Sequence, residues 1–155
     1  MHTDPQSPES LDRLELLIDS WLHEQLADNP VIEEVVRDTQ TDERRWFVRL
    51  RGEEKGVYSI WYVLRQRTLS MEAYLMPAPE ENIAACYEHL LRRNLQMFGF
   101  TFAIGAEDGV YLIGQVPNPT VTAQELDRLL GSIYEYTERF FRPAMRIGFE
   151  SRFQG

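Results

Sequence analysis

The chain has 155 residues, of which 43% are hydrophobic and 26% are charged, and its formal net charge is −9. This composition is that of a globular protein, and we interpret it as one domain over residues 8–150, preceded by a disordered tail over residues 1–7. The negative charge argues against nucleic acid and anionic membrane surfaces as partners, because both are bound through clusters of Lys and Arg.

The sequence shows no signal for membrane insertion or export. No stretch approaches the roughly 20 consecutive apolar residues of a transmembrane helix. Residues 1–10 contain acids and prolines where a signal peptide has a basic region and then an apolar one. The single cysteine, Cys86, cannot form an internal disulfide. We therefore predict a cytoplasmic protein with no membrane partner.

The first predicted element is a helix that begins at Ser7-Pro8-Glu9 and ends before Asn29-Pro30. A serine can cap the first turn, a proline suits the first helical position, and an acid suits the positive end of the helix dipole. Residues 1–30 contain seven acids and one base, so we expect the solvent-facing side of this helix to be acidic. The other side carries apolar residues at helical spacing: Leu11, Leu14, Leu17, Ile18, Trp21 and Leu22.

Between Val31 and Met76 the hydrophobic period changes from 3.6 to 2, which is typical of strands. The interruptions are short polar turns that contain glycine or charged residues. Four strands are predicted, at Val31–Arg37, Arg45–Arg51, Gly56–Leu64 and Thr68–Met76.

The third predicted strand is apolar on both of its faces. An antiparallel sheet with one solvated face normally alternates apolar and polar residues. We therefore expect the far side of the sheet to be covered in part by a helix or by another subunit. The two sets of alternating residues are Val57, Trp61 and Val63 on one side, and Tyr58, Ile60, Tyr62 and Leu64 on the other.

Prolines at positions 77 and 79 separate the strands from a second helix. We expect this helix to begin at Glu80-Glu81, where acids favour the positive end of the dipole, and to end near Gly99. Its apolar positions are Ile83, Ala84, Tyr87, Leu90, Leu91 and Leu95.

A hairpin follows, with predicted strands at Phe100–Ile104 and Val110–Val116. Thr122 and Glu125 then form a capping box that opens a last helix, and Gly148 ends it. The predicted order is α-ββββ-α-ββ-α. We predict an α+β fold in which a twisted antiparallel sheet is packed by the three helices.

Several stretches in the second half of the chain together resemble the YbjN family of bacterial proteins, in particular its actinobacterial branch. They are residues 87–95 (YEHLLRRNL), 102–104 (FAI), 108–114 (DGVYLIG) and 125–130 (ELDRLL). The resemblance implies the fold of type III secretion chaperones, typically as a homodimer. It also implies a role in sensory transduction or stress response. The family has no catalytic residues that could be transferred to this chain.

The sequence contains no catalytic, metal-binding or cofactor-binding pattern. The histidines, His2, His23 and His89, have neither the spacing nor the cysteine neighbours of a metal site. Cys86 lies within a helix, about two turns from its start, where a small buried hydrophobic residue is typical. No glycine-rich phosphate loop is present. We predict no catalytic residue, no metal and no cofactor, and therefore no enzyme.

One group of residues suggests a protein-interaction surface. Arginine and aromatic side chains are enriched where proteins bind proteins. Alternatively, the same face packs under the protein's own helices while its arginines extend outward. An RNA-binding sheet also uses aromatics and arginines, but the acidic charge disfavours RNA. The candidate residues are Arg45, Phe47, Arg49 and Arg51 on the second strand, with Tyr58, Ile60 and Tyr62 on the third.

The sequence thus predicts a non-enzymatic, protein-binding or chaperone-like regulatory module that acts as a homodimer. The protein partner is not identified. The alternative is a sensory domain that binds a small ligand in a pocket beneath the helices.

Overall fold

A computed structural model describes residues 5–153, over which the chain forms three α-helices, six strands and short 3-10 turns. The order α-ββββ-α-ββ-α and the α+β class predicted from the sequence are confirmed. The elements are α1 Pro8–Asp28, β1 Ile32–Asp38, β2 Arg44–Arg51, β3 Val57–Leu64, β4 Thr68–Met76, α2 Ile83–Arg93, β5 Thr101–Ile104, β6 Val110–Pro117 and α3 Ala123–Gly148.

The predicted tail is only partly covered by the structure, because residues 1–4, which include His2, lie outside the described range. Within the described part, the backbone N–H of Gln6 donates to the carbonyl of Gln66 at 2.8 Å. This bond joins the segment before α1 to the turn between β3 and β4.

The six strands form one antiparallel sheet in the order β1-β2-β3-β4-β6-β5. The first four strands make a meander. After α2 the chain forms β5 at the edge of the sheet, and it then turns back as β6, which pairs between β4 and β5. The two edges of the sheet are therefore β1 and β5.

Helices α1 and α3 cover one face of this sheet, which we call the covered face. Trp21 of α1 meets Tyr62 edge to face at 6.5 Å, and Tyr134 of α3 lies 6.4 Å from Tyr58. Carboxylates satisfy two buried indole N–H groups: Asp19 accepts from Trp46 at 3.0 Å, and Asp127 accepts from Trp21 at 2.7 Å. The main hydrophobic core lies between this face and the two helices.

The predicted starts of α1 and α3 are confirmed by their caps. The Ser7 hydroxyl accepts from the N–H of Ser10 at 3.2 Å, and the Thr122 hydroxyl accepts from the N–H of Glu125 at 3.1 Å. These caps use residues three apart in sequence, so a local pattern is enough to predict them.

The start of α2 differs from the prediction, because the helix begins at Ile83 and not at Glu80-Glu81. The backbone N–H groups of Glu80 and Glu81 donate to the carbonyl of Gly148 at 3.0 and 2.9 Å. Asn82 then adopts a left-handed conformation, with φ of 49°, which a residue inside an α-helix does not have. Because the residues before it bond to the end of α3, α2 begins about one turn later than the sequence predicted.

Candidate protein-interaction surfaces

The structure divides the predicted interaction residues between the two faces of the sheet. Tyr58, Ile60 and Tyr62 pair in register with Leu50, Val48 and Trp46, and all six side chains point to the covered face. The exposed fractions of the first three are 4%, 0% and 0%. The sequence predicted that these three residues lie on an accessible surface together with the arginines of β2. This prediction is wrong, because they are buried on the opposite face of the sheet. For these three residues the alternative interpretation holds, since they pack under the protein's own helices.

Burial also keeps the two tyrosines of this set in their neutral form. Loss of solvent raises the pKa of Tyr58 and Tyr62 well above 10, and Glu138 adds to the effect at Tyr58. Among the described residues, neither hydroxyl has a hydrogen-bond partner. These groups belong to the core and offer no accessible chemistry.

The four remaining predicted residues, Arg45, Phe47, Arg49 and Arg51, point to the opposite face, which we call the open face. Their cross-strand neighbours on β3 are Val63, Trp61, Ser59 and Val57, respectively. Val57 is 49% exposed and Val36 of β1 is 41% exposed, so the described helices leave this face uncovered. The expected cover on the far side of the sheet is thus not supplied by the described part of the chain.

The three arginines on the open face are neutralised by carboxylates of β1. Arg45 lies 3.1 Å from Asp38, Arg49 lies 3.0 Å from Glu34, and the Arg51 guanidinium lies 2.7 Å from Glu33. Since each cation already has an anion, this group presents little free positive charge to a phosphate or an acidic segment.

Two aromatic rings lie beside these ion pairs. Phe47 and Trp61 meet edge to face with ring centres 5.3 Å apart. The Arg45 guanidinium lies 4.3 Å from the centre of the Trp61 ring, a cation–π distance. The open face therefore presents half-buried aromatic surface at its centre and ion pairs at its β1 side.

A second surface, on α2 and the neighbouring edge strand β5, was not predicted to be exposed. Leu91 is 66% exposed and Leu95 is 90% exposed, while within α2 only Cys86 and Leu90 are buried. The apolar positions of this helix recur at the expected spacing. The helix packs on α3, however, through the side that carries Cys86 and Leu90, and the side that carries Leu91 stays exposed. The exposed apolar residues here, which we call the α2–β5 surface, are Ile83, Leu91, Leu95, Phe98 and Ile104.

A groove of about 380 Å³ runs between α2 and β5 within this surface. Its walls are Tyr87, Leu90, Leu91, Phe102, Ala103, Ile104 and Val110, which are all apolar or aromatic. Such a groove is suited to side chains of another protein and offers few polar groups for a hydrophilic ligand.

The backbone at the β5 edge is partly closed to a further strand. The Asn94 side chain accepts from the N–H of Phe102 at 2.7 Å and donates to its carbonyl at 3.5 Å. The N–H and the carbonyl of Phe102 are the backbone groups with which an added strand would form its hydrogen bonds. A partner at this edge therefore has to bind mainly through side chains.

The cleft between α1 and α3 is where a pocket beneath the helices would lie. It measures about 330 Å³ and is lined in part by Gln25, Asn29 and Asp127. These polar groups bond within the protein: Asp127 accepts from Trp21, and Asn29 donates to Gln25 at 3.1 Å. The cleft therefore has few unoccupied polar groups that could orient a small ligand.

Cys86 and His89, for which no catalytic role was predicted, lie at buried and half-buried positions of α2. Burial raises the pKa of the Cys86 thiol, whose sulfur lies 3.6 Å from the Ala144 carbonyl oxygen. Burial and the charge of Arg93 lower the pKa of His89. Within residues 5–153 there is no group of three or more side chains suited to a metal ion, and no helix there is long and apolar enough to cross a membrane.

The sequence of this chain is similar to those of a family of bacterial proteins. The YbjN family model, described as "Putative bacterial sensory transduction regulator", matches residues 12–144. The uncharacterized protein Rv0487 of Mycobacterium tuberculosis and its Mycobacterium bovis counterpart Mb0497 are each 32% identical over 107 residues. That match covers 69% of this chain and 58% of each relative.

The uncharacterized protein ML2442 of Mycobacterium leprae is 29% identical over 110 residues, which cover 71% of this chain and 60% of the relative. The matched region is thus less than two thirds of the length of these mycobacterial proteins. The family model spans nearly all of the sheet and the three helices, and the chain belongs to the YbjN family.

Proposed function

We propose that this protein is a non-enzymatic, protein-binding regulatory module that acts as a homodimer joined through the α2–β5 surface. The observation that supports this proposal is the group of large apolar side chains exposed on α2, on β5 and on the segment that connects them. Scattered exposed apolar residues are normal, but a contiguous patch marks an interaction site. The regulatory role rests on the description of the family.

The exposed side of α2 has the arrangement that two identical helices need. Ile83, Tyr87 and Leu91 recur every four residues along α2 and so form one stripe, and Leu95 follows in the 3-10 turn Asn94–Gln96. When two copies lie antiparallel about a twofold axis, Ile83 of one meets Leu95 of the other, and Tyr87 meets Leu91. Such an isologous contact closes as a dimer.

The charges beside the stripe are also self-complementary. Glu88 and Arg92 form an ion pair within the helix at 3.2 Å. In the antiparallel arrangement, Glu88 of one copy lies near Arg92 of the other, so the pairs join into a network of alternating charge. Ala84, which is small and exposed, lies beside the stripe and allows the two helices to approach closely.

The absence of enzymatic activity is part of the proposal. Cys86 is the only thiol, and its raised pKa keeps it protonated, whereas a nucleophile needs a thiolate. Cytoplasmic location and lack of a nucleic-acid partner remain predictions from the sequence.

The test is the solution mass, measured by light scattering behind a sizing column over a dilution series. We expect about twice the chain mass of 18.2 kDa. Leu91→Glu should convert the dimer to a monomer, because it places two carboxylates in the apolar contact.

A matched control is available on α1. Leu16 is 68% exposed, close to the 66% of Leu91, but it belongs to α1 and is not part of the α2–β5 surface. Leu16→Glu should leave the dimer intact. A wild-type protein that is monomeric at every concentration, or a Leu91→Glu variant that remains dimeric, would contradict the proposal.

A further inference from the structure

An apolar row crosses the open face from β1 to β6 and contains one acidic residue. The register places five residues side by side on successive strands: Val36, Phe47, Trp61, Glu72 and Ile113. Neighbouring strands lie about 4.8 Å apart, so the distance from Phe47 to Ile113 is roughly 14 Å. This length matches about ten residues of an α-helix.

Glu72 is the charged residue of this row, and no cation lies beside it among the described residues. It is exposed, and its cross-strand neighbours are Trp61 and Ile113. Among the described residues, no hydrogen bond or ion pair involves its carboxylate, whereas the arginines on β2 are paired with acids of β1. The free charge in the middle of the apolar row is therefore negative.

Two depressions lie on either side of the Trp61–Glu72 pair. One, of about 480 Å³, has the apolar residues Val36, Phe47 and Trp61 on one side and residues 37–40 on the other. The other, of about 570 Å³, is lined by Glu72, Ile113 and Thr101, with Ser70 and Gln115 at its rim. Together they provide room for apolar side chains before and after a group that contacts Glu72.

We propose that the open face binds a segment of another protein in which a Lys or Arg lies between apolar side chains. The cation pairs with Glu72, and the apolar side chains occupy the two depressions. This inference rests on the proposed protein-binding function and identifies the chemistry of its partner.

Charge distinguishes this partner from other occupants. A nucleic acid or an acidic segment meets arginines that are already neutralised, and it is repelled by Glu72. A second copy that paired through this row would offer no free cation to Glu72, because the arginines of β2 are already paired with acids of β1. The partner is therefore a different, cationic chain, and the dimer contact on α2 remains separate.

Trp61 provides a direct reporter for the test. Trp21 and Trp46 are 3% and 0% exposed, so a ligand on the open face changes the emission of Trp61 alone. The probes are 15-residue amphipathic peptides of Leu and Ala that carry Arg, Gln or Glu at the centre of their apolar side. Each is titrated into the full chain while the wavelength of maximum emission is recorded.

We expect a saturable blue shift with the Arg peptide and affinity about tenfold lower for the Glu peptide, with Gln between them. Glu72→Arg should reverse the order, and Glu72→Gln should remove the preference. The control is Glu24→Arg, which makes the same change in net charge on the exposed side of α1 and should leave the order unchanged.

Three outcomes would overturn the inference. They are the absence of a saturable Trp61 shift with the Arg peptide, equal affinity for all three peptides, and a change of preference in Glu24→Arg as large as that in Glu72→Arg. None of them affects the solution mass, so this inference can fail while the dimer proposal stands. Solution masses of the Glu72 variants equal to that of the wild type confirm that the two surfaces are independent.

Discussion

The two faces of the sheet are built by the same strands but have opposite environments. Tyr62 and Trp61 are adjacent on β3 and similar in size, yet Tyr62 is fully buried against α1 while Trp61 is half-buried beside Phe47 and Arg45. Because side chains alternate along a strand, one step in sequence separates the core from solvent. Residue type alone therefore says little about which aromatics of this sheet can meet a partner.

The largest expected contrast is between two tryptophans, one on each face. Trp46→Ala should destabilise the fold by about 3–5 kcal/mol, because it leaves a cavity in the core and removes the indole N–H that Asp19 accepts. Trp61→Ala should cost about 1 kcal/mol, since it loses half-exposed ring contacts. Urea denaturation followed by circular dichroism measures both losses. Similar losses for the two variants would mean that the open face is also covered in solution.

Alkaline pH should act through the covered face. The pKa of Tyr58 and Tyr62 is raised by burial, so their contribution to stability is fully present below pH 10 and is lost as the pH rises. Above pH 10 the unfolded state releases these protons and the folded state keeps them. The two tyrosines together should therefore lower the free energy of unfolding by about 2–3 kcal/mol per pH unit.

The double variant Tyr58→Phe/Tyr62→Phe serves as the comparison for this pH series. Its stability should fall less steeply between pH 10 and 11 than that of the wild type. Parallel curves for the two proteins would show that neither hydroxyl is buried as described.

The smallest expected contrast is between two arginines. Arg37 of β1 lies against the Trp46 ring and donates to the carbonyls of Asp38 and Arg45 at 2.6 and 3.2 Å. Arg37→Ala should cost about 1–2 kcal/mol. Arg49, on the open face, makes only half-exposed ion pairs, and Arg49→Ala should cost below about 0.5 kcal/mol. Melting at low and high salt tests this ranking, and an equal loss in both variants would contradict it.

Local patterns predicted most of the secondary structure. The strand Thr68–Met76 was predicted with its observed bounds, and the caps at Ser7 and Thr122 lie where the sequence indicated. The start of α2 was predicted one turn too early, because Glu80 and Glu81 bond to Gly148, which is more than 60 residues away. A contact at that separation leaves no signal in a local pattern.

The positions of the candidate residues in the fold were predicted only in part. Arg45, Phe47, Arg49 and Arg51 do share one accessible face, as their alternation in β2 indicates. The tyrosines and Ile60 were assigned to the same surface because β3 is apolar on both sides, and alternation alone cannot say which side faces the helices. The exposed stripe on α2 was missed for the corresponding reason, since spacing reveals an apolar side of a helix but not what covers it.

The sequence by itself determined the class of fold and the order of its elements, because these follow from hydrophobic period, capping residues and turn residues that act over a few positions. The family was indicated separately, by the resemblance of several stretches in the second half of the chain, and the match to the family model shows it. Only the tertiary structure decided which apolar surfaces are buried. That outcome depends on the register between strands and on the side from which α1 and α3 approach the sheet, and both are set by contacts between residues distant in the chain.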